Sequence, residues 1–159
     1  KKIAATKKKS KNRYTGIEVL NLMLNYEIEQ AEEKAIRVKC AVEAYHCPVD
    51  ETELCIIIGN LFDNAIEAVK DLPDEQRQID FSIQNPNGIF RIEMSNPYED
   101  ERRKVEHHYL TTKKENTEMH GLGLMSVQKI VEKYDGLMEI SDTDNVFKVI
   151  VIFFVRGND

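Results

Sequence analysis

Two short stretches carry residue types that could do chemistry. Asn60, Asp63, Asn64 and Glu67 recur at spacings of three and four, which on a helix places them within one arc of about 100°. Carboxamide and carboxylate oxygens gathered that way can converge on one ligand. Asn and Asp are poor helix formers because their short polar side chains compete for the backbone. Two Asn and one Asp within five residues therefore carry a propensity cost that needs compensation. The polar side of an ordinary amphipathic helix is the bland alternative. The second stretch is His120-Gly121-Leu122-Gly123-Leu124. Two glycines flanking Leu122 just ahead of a helix let backbone amides approach an anion closely, and the helix N-terminus adds partial positive charge. A phosphate fits such a place. An isolated Gly-x-Gly is more often a plain turn. Following an Asn-x-x-x-Asn helix by about 60 residues, it gains weight.

The elements that must position these stretches are legible from periodicity. Thr15 precedes a helical pattern in Ile17, Leu20, Leu24, Ile28 and Ala31 that runs to about Lys34. Arg37 to Ala44 reads as a strand, and His46-Cys47-Pro48 interrupts the chain before a second helix. Asp50 with Glu53 three residues later resembles a capping box. Leu54, Ile57, Ile58, Leu61, Phe62, Ala65, Ile66 and Val69 then form one apolar helix face. Leu72-Pro73-Asp74 ends it. Gln78 to Gln84 and Ile89 to Ser95 read as strands joined by Asn85-Pro86-Asn87-Gly88, a hairpin turn. From Asn96 to Met119 the chain is polar and aperiodic, the pattern of a functional loop or lid. A third helix is expected from about Gly123, with Val127, Ile130 and Val131 inward and Gly136 as its left-handed cap. Leu137 to Ser141 and Val146 to Val155 read as two last strands around Asp142-Thr143-Asp144-Asn145. The second of them is apolar enough to be central.

Composition bounds what such a chain can be. At 159 residues with 42% hydrophobic and 31% charged residues, it has the size and character of one globular domain. It lacks the roughly 18 consecutive apolar residues of a membrane helix. Seven of the 22 basic residues fall within Lys1–Arg13, and all 28 acidic residues lie beyond it. The body is thus acidic, which argues against nucleic acid as its ligand. Residues 1–13 read as a basic linker and 14–159 as the functional domain. Beginning at Lys1, the chain is expected to be a piece of a longer protein. Cys40, Cys47 and Cys55 form no C-x-x-C pair and are expected as reduced, packed thiols.

Asn60-Leu61-Phe62-Asp63-Asn64-Ala65-Ile66-Glu67-Ala68 and His120-Gly121-Leu122-Gly123-Leu124 resemble the asparagine box and second glycine box of the GHKL ATPases, the family of gyrase, Hsp90, histidine kinases and MutL. The resemblance covers about Tyr14 to Val155. It is strongest toward catalytic domains of sensor histidine kinases, among them quorum-sensing kinases of the accessory-gene-regulator type. It implies the Bergerat fold, an α+β two-layer sandwich with a mixed sheet of about five strands covered on one face by about three helices. It also implies ATP and Mg²⁺ as cofactors, with Asn64 as the Mg²⁺ ligand. Asp63 and the stretch from His120 to Leu124 would belong to the nucleotide site, His120 either touching phosphate or closing the lid. Asn60 stands where hydrolysing members commonly place Glu, and an amide cannot take a proton from water, which favours phosphoryl transfer over hydrolysis. Thr111-Thr112-Lys113-Lys114 resembles the run that precedes the second glycine box. Lys113, as a catalytic residue, or Lys114 would neutralise the β- or γ-phosphate.

One departure concerns adenine. Family members carry Asp-x-Gly-x-Gly where this chain reads Asn96-Pro97-Tyr98-Glu99, so Asn96 would accept the base's amino hydrogen bond as a neutral, weaker acceptor. The implied partner is a dimerisation domain upstream of Lys1 carrying the acceptor histidine, which makes His107 and His108 poor candidates for that role. A response regulator would receive the phosphoryl group indirectly. The implied setting is the cytoplasmic part of a bacterial membrane receptor, this piece itself not inserting. A degenerate binding module and a serine-directed kinase of the same fold are the alternatives.

Overall fold

The computed structural model describes residues 15–99 and 119–155, and only the backbone of residues 119–122. Among the described residues three helices and five strands follow in the order α1 (Glu18–Glu33), β1 (Arg37–Val42), α2 (Glu51–Val69), β2 (Gln78–Gln84), β3 (Ile89–Pro97), α3 (Met119–Lys133), β4 (Leu137–Thr143) and β5 (Val146–Phe154), with one 3₁₀ turn at Asp74–Gln76. The sheet order is β1-β2-β3-β5-β4. β1 runs parallel to β2, and the other pairs are antiparallel. This is the two-layer α+β sandwich expected, with a mixed five-stranded sheet.

One face of the sheet is apolar because alternate residues of each strand point to it. Ile79, Phe81 and Ile83 of β2, Phe90, Ile92 and Met94 of β3, and Val149, Val151 and Phe153 of β5 are buried there. α2 lies across them with Leu54, Ile57, Ile58, Leu61, Phe62, Ala65 and Val69, the face its periodicity predicts, and Phe62 meets Phe81 at 5.1 Å between ring centroids. β5 is interior to the sheet as expected, yet only every second residue is buried and Phe154 is 51% exposed. Among the described residues helices cover one side of the sheet, so an apolar run did not mean burial on both faces.

The turns follow local chemistry. Asp144 and Asn145 both have positive φ, 55° and 59°, making a two-residue turn between paired Thr143 and Val146, as Asp and Asn permit. At the other hairpin Ile89 N–H donates to Pro86 O at 2.9 Å around Asn87 and Gly88.

The helix ends differ from expectation in two places. Gly136 is not the left-handed residue; Asp135 is, at φ 53°. Gly136 N–H donates to Val131 O at 2.8 Å, closing the helix as a Schellman motif. Its glycine is required instead by packing, because a Cβ would stand 2.6 Å from Ile152 O. α1 ends the same way on Ala35, φ 56°, with Ile36 N–H to Ala31 O at 3.0 Å. The second difference is at α2. Asp50 Oδ1 accepts from Thr52 N and Glu53 N, but Glu53 does not reach back. Tyr134 OH takes the Asp50 N–H at 3.1 Å and donates to Glu53 Oε1 at 2.7 Å, where Lys133 Nζ also arrives at 2.7 Å. Half of the expected capping box is replaced by a clamp from the end of α3. That clamp lowers Glu53's pKa through its hydrogen bonds to Lys133 and Tyr134.

Candidate functional site

The clamp fixes one end of the antiparallel α2–α3 pair, and the two motifs meet toward the other. Asn60 Nδ2 donates to Ile56 O at 2.9 Å, one turn back on its own helix, which leaves Oδ1 turned outward. A Cβ built on Gly123 would lie 3.0 Å from that Oδ1 and 3.6 Å from Asn60 Cγ. Gly123 is therefore the residue that lets α3 pass over the asparagine face of α2. Asn64 follows one turn on, half-buried, while Asp63 beside it is exposed and Glu67 pairs with Lys70 at 2.9 Å.

The glycine stretch is helical where a turn ahead of the helix was expected, since α3 starts at Met119. Glycine tolerates helical dihedrals at about 1 kcal/mol each, and Leu124 and Val127, both buried in the core, hold the start of the helix down. The anion-binding logic survives the shift. Amides of Met119, His120 and Gly121 fall in the first turn, whose N–H groups have no intrahelical acceptor. The Leu124 side chain is 4% exposed and belongs to the core, so it anchors the helix start and is not itself a ligand contact. The side chains of His120 and Leu122 lie outside the described residues, as do Thr111, Thr112, Lys113, Lys114, His107 and His108.

Asn96, next to last in β3, lies on the helix-facing side, 2% exposed. Its Nδ2 donates to Pro97 O at 3.0 Å, so its side-chain oxygen is the end left to accept. Two residues on, Tyr98 is buried with a hydroxyl that has no partner among the described residues. The thiols behave as expected: all three are free and half-buried, and burial pushes Cys40 up to about 11.

Sequence reasoning missed Glu27. The buried stripe of α1 is Leu20, Asn21, Leu24, Glu27 and Ala31, so Glu27 takes the buried place given above to Ile28, which is half-buried. The signal was present as a charged residue at helical spacing between Leu24 and Ala31. Also unanticipated was a buried network at the start of α1, where Asn21 Oδ1 accepts from Thr15 N at 2.7 Å and Asn21 Nδ2 donates to Thr15 O at 2.8 Å.

A helix-over-sheet sandwich in which an asparagine-bearing helix touches a glycine-bearing helix N-terminus defines the class of ATP-binding GHKL folds. Comparison with known proteins agrees: residues 49–153 match the GHKL domain, and the chain belongs to that family. A probable C4-dicarboxylate sensor kinase of Halalkalibacterium halodurans is 26% identical over 106 residues, 65% of this chain and 20% of that protein. The sensor histidine kinase DpiB of Escherichia coli is 26% identical over 117 residues, 70% of this chain and 21% of its own length. The chain thus spans about a fifth of these relatives. Among solved structures, the catalytic domain of histidine kinase ThkA superposes with a TM-score of 0.68 at 16% identity, covering 89% of this chain and 94% of that one. The mycobacterial sensor histidine kinase MprB superposes at 0.65, also at 16% identity, covering 89% and 96%. At such identities the likeness is one of fold. Together these bear out the expectation of an ATP-binding catalytic domain of histidine-kinase type.

Proposed function

We propose that this chain binds Mg²⁺-ATP across the Asn60/Asn64 face and the start of α3, and passes the γ-phosphoryl group to a histidine on a separate dimerisation domain for relay to a response regulator. The observation that carries the reading is the contact of Asn60 with Gly123, because it joins the two motifs in one site. The residues present suit the ligand. Asn64 offers a neutral amide oxygen, the hard donor a magnesium ion takes when it keeps most of its waters. Held by Asn64, Mg²⁺ would supply positive charge to offset that of the nucleotide's phosphates. Asn60 has its amide nitrogen tied to Ile56, and neither end of an amide can take a proton from water. The first-turn amides of α3 face the anionic end of the ligand, with Lys113 and Lys114 assigned to the same end. Asn96 Oδ1 is assigned to the adenine amino group. Asp63 and His120 are assigned to the rim of the site. Catalysis by such a set is positioning and charge neutralisation.

The same reading makes the chain one part of a sensor kinase, the cytoplasmic catalytic part of a bacterial membrane receptor. Likeness to the accessory-gene-regulator type belongs to this proposal, on the motif variants and the helix that precedes them. Among the described residues no helix is long and apolar enough to cross a membrane.

Calorimetric titration with ATP tests the core of it. Saturable binding that requires Mg²⁺ in the native chain and is lost in Asn64→Ala is the expected result. No saturable binding at millimolar nucleotide would instead favour a degenerate module that serves protein contacts. With the dimerisation domain supplied, an acid-labile phosphorylated product is expected; an acid-stable one would mean a serine-directed kinase.

A further inference from the structure

Four polar or charged residues are buried among the described residues: Thr15, Asn21, Glu27 and Asn96. Thr15 and Asn21 bond to each other, and Asn96 bonds to the Pro97 carbonyl. Glu27 is 4% exposed as a residue and makes no hydrogen bond or ion pair with another described residue, while its carboxylate oxygens are not among the fully buried unpaired atoms, Arg77 Nε, Asn85 Oδ1 and Tyr98 OH. A native core leaves few such groups without a reason.

Its surroundings suggest one. α1 passes closely over α2 at Gly59, where a Cβ would stand 3.0 Å from Met23 Cε and 3.8 Å from Glu27 Oε1. One turn further along α2, Asp63 sets its like charge against Glu27, and burial together with that charge raises the Glu27 carboxyl from 4.5 to about 7. β1, which also packs on α1, keeps Arg37 and Lys39 exposed. Asp63 is thus the ionisable group that acts on Glu27 from these two elements. Gly59 and Asp63 immediately precede Asn60 and Asn64, so the buried carboxyl underlies the two turns of α2 that carry the proposed nucleotide ligands. α1 lies outside residues 49–153, the stretch that matches the GHKL domain.

We infer that Glu27 is a protonation-dependent positioning residue of the nucleotide site: neutral, it lets α1 seat against Gly59 and hold Asp63 beside Asn60 and Asn64, and ionised, it repels Asp63 and the phosphates. This rests on the nucleotide-site reading above. A buried negative charge added beside the exposed Asp63 and near a polyanion, without a counter-ion, raises the cost of binding it, whereas the protonated carboxyl adds none.

The test compares the native chain with Glu27→Gln and Glu27→Leu from pH 5.5 to 8.5, at saturating Mg²⁺, reading ATP affinity by calorimetry and the thermal midpoint without nucleotide. Native affinity is expected to fall about tenfold as pH rises through 7, while both variants hold their low-pH affinity across the range. Without nucleotide, the midpoint of the native chain should fall progressively below that of Glu27→Gln as pH rises from 5.5 to 7, the gap holding constant above that. Midpoints that stay parallel would show that Glu27 does not titrate in this range and overturn the inference. So would midpoints that part while the affinity profiles of native and variant chains coincide, since the proton would then not reach the site. Absence of ATP binding in all three proteins at every pH would refute the nucleotide reading itself and the role given to Glu27 with it. Glu27→Leu guards against a Gln side chain that merely repacks.

Discussion

The two seams that flank α2 are built on opposite terms. Toward α3 the polar groups are paired: Asp50 N–H and Glu53 meet Tyr134 and Lys133, and Asn60 spends its amide nitrogen on its own helix and turns its oxygen to Gly123. Toward α1 the helices close over a carboxyl that nothing described neutralises. A fully satisfied network fixes one geometry, which is what a helix pair meant to hold two motifs in register requires. A buried, unpaired carboxyl costs stability whenever it ionises. Stability therefore does not account for Glu27.

The largest effect that would break this contrast is at Glu27. Its carboxyl titrates near 7 in the folded chain against 4.5 when unfolded, so the folded state binds the extra proton between these values. The native chain then carries no penalty below about pH 4.5, a growing one from there to 7, and the full penalty above. That gap corresponds to about 3 kcal/mol. Glu27→Gln should accordingly be more stable than the native chain by about that amount at pH 8 and equal to it near pH 4.5, measured by urea unfolding at both pH values. Equal stability at pH 8 would return the α1 seam to the same footing as the other.

The next effect lies on the α3 side. Gly123→Val adds methyl groups beyond a Cβ that would itself stand 3.0 Å from Asn60 Oδ1, so Asn60 must turn away. ATP affinity should drop about ten- to a hundredfold, on the order of 1.4 to 2.7 kcal/mol, with the far-UV spectrum unchanged. Native affinity in this variant would separate the two motifs functionally. Tyr134→Phe should follow, costing about 1 to 2 kcal/mol in unfolding free energy, because it leaves the Asp50 N–H and one Glu53 interaction without the hydroxyl. A loss under a few tenths of a kcal/mol would mean water replaces the clamp.

What the sequence made legible tracks how local the cause is. The α2 face, the two hairpin turns and the order of strands follow from periods of 3.6 and 2 and from Asn, Asp and Gly in the turns. Where a residue's role is set by a distant partner, the reading went astray. Gly136 resembles a left-handed cap, but it is glycine because of Ile152 O across the sheet, and the left-handed dihedral falls on Asp135. Glu53 resembles half of a capping box, but Lys133 and Tyr134, 80 and 81 residues on, claim it. Ile28 was chosen over Glu27 for the core because an apolarity pattern prefers the apolar neighbour. At the site, the pairing of Asn60 with a glycine helix start was legible from motif resemblance. Which glycine touches Asn60, and where α3 begins, were not, since both depend on how two helices cross.

The smallest effect tests whether the parallel endings of α1 and α3 are equivalent. Both helices close on a non-glycine residue at positive φ, Ala35 at 56° and Asp135 at 53°, and each is followed by a bond back five residues. Ala has no side-chain polar group to offset the strain of that region, while Asp is better tolerated there. Ala35→Gly should therefore stabilise the chain by about 0.5 to 1 kcal/mol despite glycine's greater freedom when unfolded. Asp135→Gly should give less. Chemical denaturation of the two variants side by side decides it. A gain at Ala35 no larger than that at Asp135 would mean that the strain at both corners is set by the Schellman geometry alone and not by which side chain bears it.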